Sequence, residues 1–245
     1  MLKKHLLYTG AFLILAANAP LSADTIFKNG FEQYFRLNDT GITWAADYLG
    51  SNNASCTSNI TAPQDCHQGR DNDFNDNSDG VAGFSFTKID AAGNPLAANA
   101  STWSCVKDNV TGLLWEHKNT DNSSIHFNNH FYQWGGVTHL GSNFGTYYND
   151  WDVLVNGTNG ETLCGKDNWR VPTNMELMSL VNIGTTANQR IDTNFFPNVM
   201  GIYWSAYATH FDANRAQMTR FDTSNAISFG VGNRTQGQHV ILVSQ

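Results

Sequence analysis

Asp71 to Gly80 reads Asp-Asn-Asp-Phe-Asn-Asp-Asn-Ser-Asp-Gly, with oxygen donors at alternate positions before a glycine. Calcium takes about six to eight hard oxygens on a tightly turned backbone, so Asp71, Asp73, Asn75 and Asp79 are the candidate ligands. The EF-hand pattern is not met. Counted from Asp71, its glycine and glutamate positions hold Asp76 and Ala82. Counted from Asn75, Gly80 fits but Phe86 stands where the bidentate glutamate belongs. A looser calcium loop competes with a solvated acidic loop, which is the simpler reading.

A second candidate group is aromatic. Trp134, Tyr147, Tyr148 and Trp151 stand near Gly135, Gly136, Asn149 and Asp150, a setting that reads as loop. Rings presented there have an apolar face for stacking on a sugar and a polar tip for hydrogen bonding. His126 and His130 form H-x-x-x-H without the adjacent glutamate of a zinc protease, and Phe127, Phe131 and Tyr132 around them suggest ordinary packing. No G-x-S-x-G elbow is present. The residues therefore point away from catalysis and toward a non-catalytic binding module. Its expected partner is a glycan or a cell-surface protein, and the alternative is a structural, envelope-associated protein.

Four cysteines, Cys56, Cys66, Cys105 and Cys164, allow three pairings. An even count suits disulfides in an exported chain. Export is expected from the N-terminus, where Lys3 and Lys4 precede an apolar run from Leu6 to Ala17 and small residues end at Leu21-Ser22-Ala23. Residues 1–23 read as a cleavable signal peptide, since the apolar run falls short of the roughly 20 residues a spanning helix needs. The rival cut after Ala19 would leave Pro20 first. Periplasmic or secreted localisation follows, with no membrane span after cleavage. Losing Lys3 and Lys4 leaves 12 basic against 21 acidic residues, a net charge of −9 on 222 residues. Such a chain is poorly suited to nucleic acid or polyanionic glycans.

These groups need elements to hold them. Residues 24–100 are rich in Asn, Asp, Gly and Thr and read as a loop-rich extension, with one strand over 81–89. Residues 101–245 carry the stronger signals. Thr173 and Glu176 form a capping box, and Leu177, Leu180 and Val181 continue at helical spacing, which predicts a helix over 173–182. A second helix is expected near 150–157. Strands are expected over 202–208, 216–221, 226–231 and 239–243, with turns at 222–225 and 232–233. Short connections make these strands antiparallel, so the class is α+β.

Two segments resemble signatures of the Lcl C-terminal domain family. Trp103-Ser104-Cys105-Val106-Lys107-Asp108-Asn109-Val110-Thr111-Gly112-Leu113-Leu114-Trp115-Glu116 looks like its opening segment, and Cys164-Gly165-Lys166-Asp167-Asn168-Trp169-Arg170-Val171-Pro172-Thr173, with Glu176-Leu177, like its second. Ile191 to Asn198, Tyr203 to Ala206 and His239 to Val243 follow in the same order. The resemblance implies a C-type-lectin-like fold, similar also to the formylglycine-generating enzyme: a small twisted antiparallel sheet, one or two helices and long irregular loops. Members are typically exported, and one terminates a collagen-like adhesin that binds glycosaminoglycans. This chain departs from that case, having no Gly-X-Y region and the opposite charge for such a ligand. Ile241 also stands where an arginine is usual. The resemblance favours pairing Cys105 with Cys164, which ties the two signatures together, and Cys56 with Cys66. It casts Trp115, Trp169 and Trp204 as packing anchors. Arg170 is expected to pair with Asp167 or Glu116, or to bond backbone carbonyls.

Overall fold

The computed structural model describes residues 38–47, 50, 52–54, 56–57, 60, 64–70, 77–141, 145, 147–222 and 228–245. All lie in the compact unit Arg36–Gln245. The proposed signal peptide falls outside the described residues. The fold is α+β, with two small antiparallel sheets and few helices. One sheet holds β1 (Phe86–Ile89), β2 (Cys105–Asp108), β3 (Leu114–Glu116) and β7 (Val243–Ser244), in that order. The other holds β4 (Ile202–Ala208), β5 (Arg215–Arg220) and β6 (Phe229–Asn233). Helices α1 (Asp65–Gln68), α2 (Asp152–Gly160) and α3 (Asn174–Met178) are short. Among the described residues no helix is long and apolar enough to cross a membrane. The first sheet crosses the boundary expected at residue 100, since Ile89 pairs with Cys105.

Strand periodicity sorts the core into two clusters. Successive side chains on a strand point to opposite faces, and here both faces are covered. Phe86, Val106, Trp115, Tyr203, Ile241 and Val243 enter one cluster. Ile89, Cys105, Leu114, Trp204, Val240 and Leu242 enter the other. Ile241 is fully buried. Trp115, Trp169 and Trp204 are buried as expected. The indole N–H groups of Trp169 and Trp204 donate to Leu163 O (3.1 Å) and Tyr132 O (2.7 Å).

The first signature is a hairpin turn. Buried Asp108 accepts the N–H groups of Val110 (2.9 Å) and Thr111 (3.1 Å), and Gly112 takes the left-handed φ of 77° that reverses the chain. The second signature sets a disulfide, a tryptophan anchor and a helix start. Cys164 bonds Cys105, and Cys56 bonds Cys66, the pairing expected. Closing 59 residues, the Cys105 bridge contributes about 4 kcal/mol in the chain-entropy account.

Several expectations need correction. Helix α3 spans Asn174–Met178 rather than 173–182, because the Ser179 hydroxyl takes the Glu176 carbonyl (2.7 Å) and the chain continues in turns. Leu180 and Val181 are nonetheless buried beyond it. Gly232 and Asn233 lie inside β6 rather than in a turn. A Cβ at Gly232 would sit 2.8 Å from the Trp204 ring, so the glycine lets that tryptophan cross the strand. The strand expected over 239–243 is regular only at Val243–Ser244, because the segment changes partners midway. His239 exchanges backbone bonds with Ile202 and Trp204, while Leu242 accepts from Glu116 and Val243 pairs with Arg170. The seam thereby joins both sheets.

Arg170 pairs with Glu176 rather than with Asp167 or Glu116. Its guanidinium makes two bonds of 2.8 and 2.5 Å to a carboxylate that also accepts the Thr173 N–H (2.7 Å), while Thr173 Oγ1 accepts the Glu176 N–H (3.2 Å). The capping box is thus locked to the strand-like segment before it. Thr173→Ala, which removes one cap bond, is expected to cost about 1 kcal/mol in chemical denaturation. Glu176→Ala is expected to cost about 2 to 3 kcal/mol, because it also strands a largely buried guanidinium.

Candidate functional site

Residues 134–137 and 147–152 meet around a tryptophan pair. Trp134 and Trp151 meet edge to face at 5.8 Å, and the Arg234 guanidinium lies 4.5 Å over the Trp134 ring. Their N–H groups donate to Ser205 O (2.9 Å) and Val137 O (2.9 Å). Gly135 and Gly136 have φ of 132° and 143°, and a Cβ at Gly136 would sit 2.6 Å from the Trp151 ring. Bare backbone is therefore required there. Asp152 fixes the return by accepting the Val137 N–H (2.6 Å).

The loop reading of Trp134 and Trp151 is corrected: they are 1% and 0% exposed, so neither ring has a face for a sugar. Tyr148 is half-buried and donates its backbone N–H to Trp134 O (3.3 Å). Tyr147 is different. Its ring is exposed and stacks on His139 at 4.8 Å and 29° between planes. His139 in turn stands edge-on to Trp134 at 5.7 Å, with Nδ1 2.8 Å from Gly136 O. Leu140 follows, bridged in parallel to Tyr207, and both are exposed. Three of the four aromatics thus fall in one feature: the buried Trp134–Trp151 pair lies beneath a surface stack of His139 and Tyr147, with the exposed, bridged Leu140 and Tyr207 next along the chain from His139. His139 and Tyr207 carry no sequence signal: the His139 ring meets Trp134 and Tyr147 only through the fold of the chain, and Tyr207 arrives because β4 lies beside Leu140.

Of the calcium candidates, Asp71, Asp73 and Asn75 lie outside the described residues. Asp79 Oδ2 accepts from Ser85 Oγ at 2.5 Å. Cys56, Cys66 and His67 lie close together, but both sulfurs are held in the disulfide and offer no thiolate.

A second feature is a buried ion cluster. Glu116 is wholly buried and accepts from Lys118 Nζ (2.8 Å) and the Leu242 N–H (2.8 Å), with His126 Nδ1 2.7 Å away. Burial pushes the Glu116 carboxyl up, but the Lys118 charge and the His126 bond outweigh it and hold it at about 2. His126 therefore belongs to a charge network rather than to the ordinary packing expected of it. His130 bonds through Nε2 to Ser124 O at 3.1 Å, so the two histidines do not converge on one point.

Trp134→Ala is expected to cost about 3 to 5 kcal/mol by calorimetry, as for other buried aromatics, whereas Tyr147→Ala shifts the midpoint little. Glu116 is depressed in the folded state, so its stabilisation is present above the ordinary value of 4.5 and is lost as pH falls toward about 2. Glu116→Gln is expected to flatten that acid limb in a pH series of denaturation curves.

Among known proteins, the family model described as the Lcl C-terminal domain matches residues 104–244. No curated protein and no solved structure matches the chain.

Proposed function

The chain belongs to the Lcl C-terminal domain family, and from that premise we propose that it is an exported, non-catalytic binding module whose platform takes a neutral sugar ring. The exposed Tyr147 ring, stacked on His139 and backed by the Trp134–Trp151 pair, carries this reading. An aromatic face held rigid from below loses little entropy on binding and packs well on the C–H face of a sugar. Leu140, next to His139 in the chain, and its bridge partner Tyr207 are exposed as well, and exposed apolar groups that cluster mark interaction sites. The excess of acidic residues favours a neutral over a polyanionic glycan. Of the signature residues, Asp108, Trp115, Glu116, Cys164, Trp169 and Arg170 are, by contrast, engaged in a turn, the core, ion pairs and a disulfide. Two disulfides are consistent with an oxidising compartment, periplasmic or extracellular.

The test is a broad glycan array probed with the purified protein, followed by titration of any hit. Tyr147→Ala is expected to weaken binding by about tenfold or more, the loss of one well-packed aromatic contact, while the melting midpoint stays in place. An array silent throughout would sink the glycan reading and leave an envelope-associated structural protein as the alternative.

A further inference from the structure

His126 stands between two carboxylates. Its Nδ1 is 2.7 Å from Glu116 Oε1 and its Nε2 is 3.0 Å from Glu161 Oε2. A neutral imidazole carries one N–H, so it can donate to one of these oxygens while its other nitrogen turns a lone pair toward an anion. Both contacts are attractive only when the ring is protonated. The local charge count agrees. Glu116 and Glu161 bring two negative charges, Lys118 one positive, and the imidazolium supplies the second.

The neighbouring groups do not compete for this role. Burial pushes the Tyr132 and Tyr203 hydroxyls up, further from neutrality. Burial pushes His117 down to about 4 and also lowers His239, so both are neutral where His126 changes charge. His130 bonds Ser124 O, and Asp150 faces Tyr132. Burial pulls His126 down as well, but the bond to Glu116, its charge and the bond to Glu161 outweigh that and raise it.

The two carboxylates are unequal. Glu116 is wholly buried and cannot turn to water, whereas the Glu161 side chain is 53% exposed. Glu161 directly follows α2, and the segment around His126 packs on that helix, with Ile125 against Gly157. Between the two lies a pocket of about 270 Å³, lined by Ser123, Ser124, His130, Tyr132 and Val153 among others. We propose that His126 is a proton-operated latch: protonated, it ties residues 117–130 to the end of α2, and deprotonated, it keeps Glu116, releases Glu161 and lets the pocket open. Because the latch raises the affinity of the folded state for its proton, its contribution is full below the ordinary histidine value and is lost as pH rises through the folded one. The inference is independent of what the Tyr147 platform binds.

The test is NMR titration of the His126 ring in the purified protein, with amide hydrogen exchange on either side of its midpoint, corrected for intrinsic base catalysis. The expected results are a midpoint above the ordinary histidine value and, on crossing it, protection at residues 119–128 falling on the order of tenfold. Glu161→Gln, at the exposed end of the latch, is expected to lower the midpoint and to loosen 119–128 already at acid pH, with the global melt retained. A midpoint at or below the ordinary value, protection unchanged across it, or a Glu161→Gln variant titrating like the parent would each overturn the proposal.

Discussion

A buried carboxylate is tolerable only when its oxygens are all answered, and much of this fold is arranged around answering Glu116. Lys118 and His126 meet one oxygen and the Leu242 N–H meets the other. Those three donors come from the chain just after β3, from the following loop, and from the closing segment. Satisfying one charge therefore fixes where three separate stretches of chain sit. Leaving it unanswered in a dry core would cost several kcal/mol, so the closing segment cannot drift from β3 without exposing that penalty. The same segment bonds β4 through His239 and Arg170 through Val243. The two sheets are joined at this seam rather than by a continuous ladder.

That arrangement explains why the regular elements are so short. A strand that exchanges partners every two or three residues satisfies its backbone groups but builds no long ladder. Stability must then come from side chains, and the seven tryptophans of the sequence, unusual for this length, fit that need. Trp115, Trp134, Trp151, Trp169 and Trp204 are all among the largest fully buried groups. The Cys105–Cys164 bridge adds a covalent link between β2 and the turn ahead of the Trp169 anchor.

Much of the fold was legible because its signals are local. The Thr173 capping box, the extended run of β4 and the disulfide pairing all depend on residues close in sequence or on family signatures. What was missed depends on long-range approach. Gly232 looks like a turn residue until the Trp204 ring is seen crossing it. Arg170 has several acidic residues within reach by sequence, and only the start of α3 decides that Glu176 receives it. By sequence Trp134 and Trp151 look like loop residues, because glycines and Asn-Asp flank them. The glycines are there for the opposite reason: they let backbone pass within contact distance of a buried ring. His126 gave no hint of its charge network, since Glu116 and Glu161 are ten and 35 residues away.

The division of labour between scaffold and surface follows from the same physics. Asp108, Gly112, Trp115 and Glu116, like Cys164, Trp169, Arg170 and Thr173, each answer a demand of folding: a reversed chain, a filled core, a neutralised charge, a capped helix. None has a free group directed at solvent that a ligand would need. The His139–Tyr147 stack answers no such demand on its outer side, because the Trp134–Trp151 pair below it already completes the core. An aromatic ring left 40% exposed over a finished core gains nothing for folding by its outer face. The outer face of the stack is thus surface that folding leaves unused, while these signature residues report on the frame beneath it.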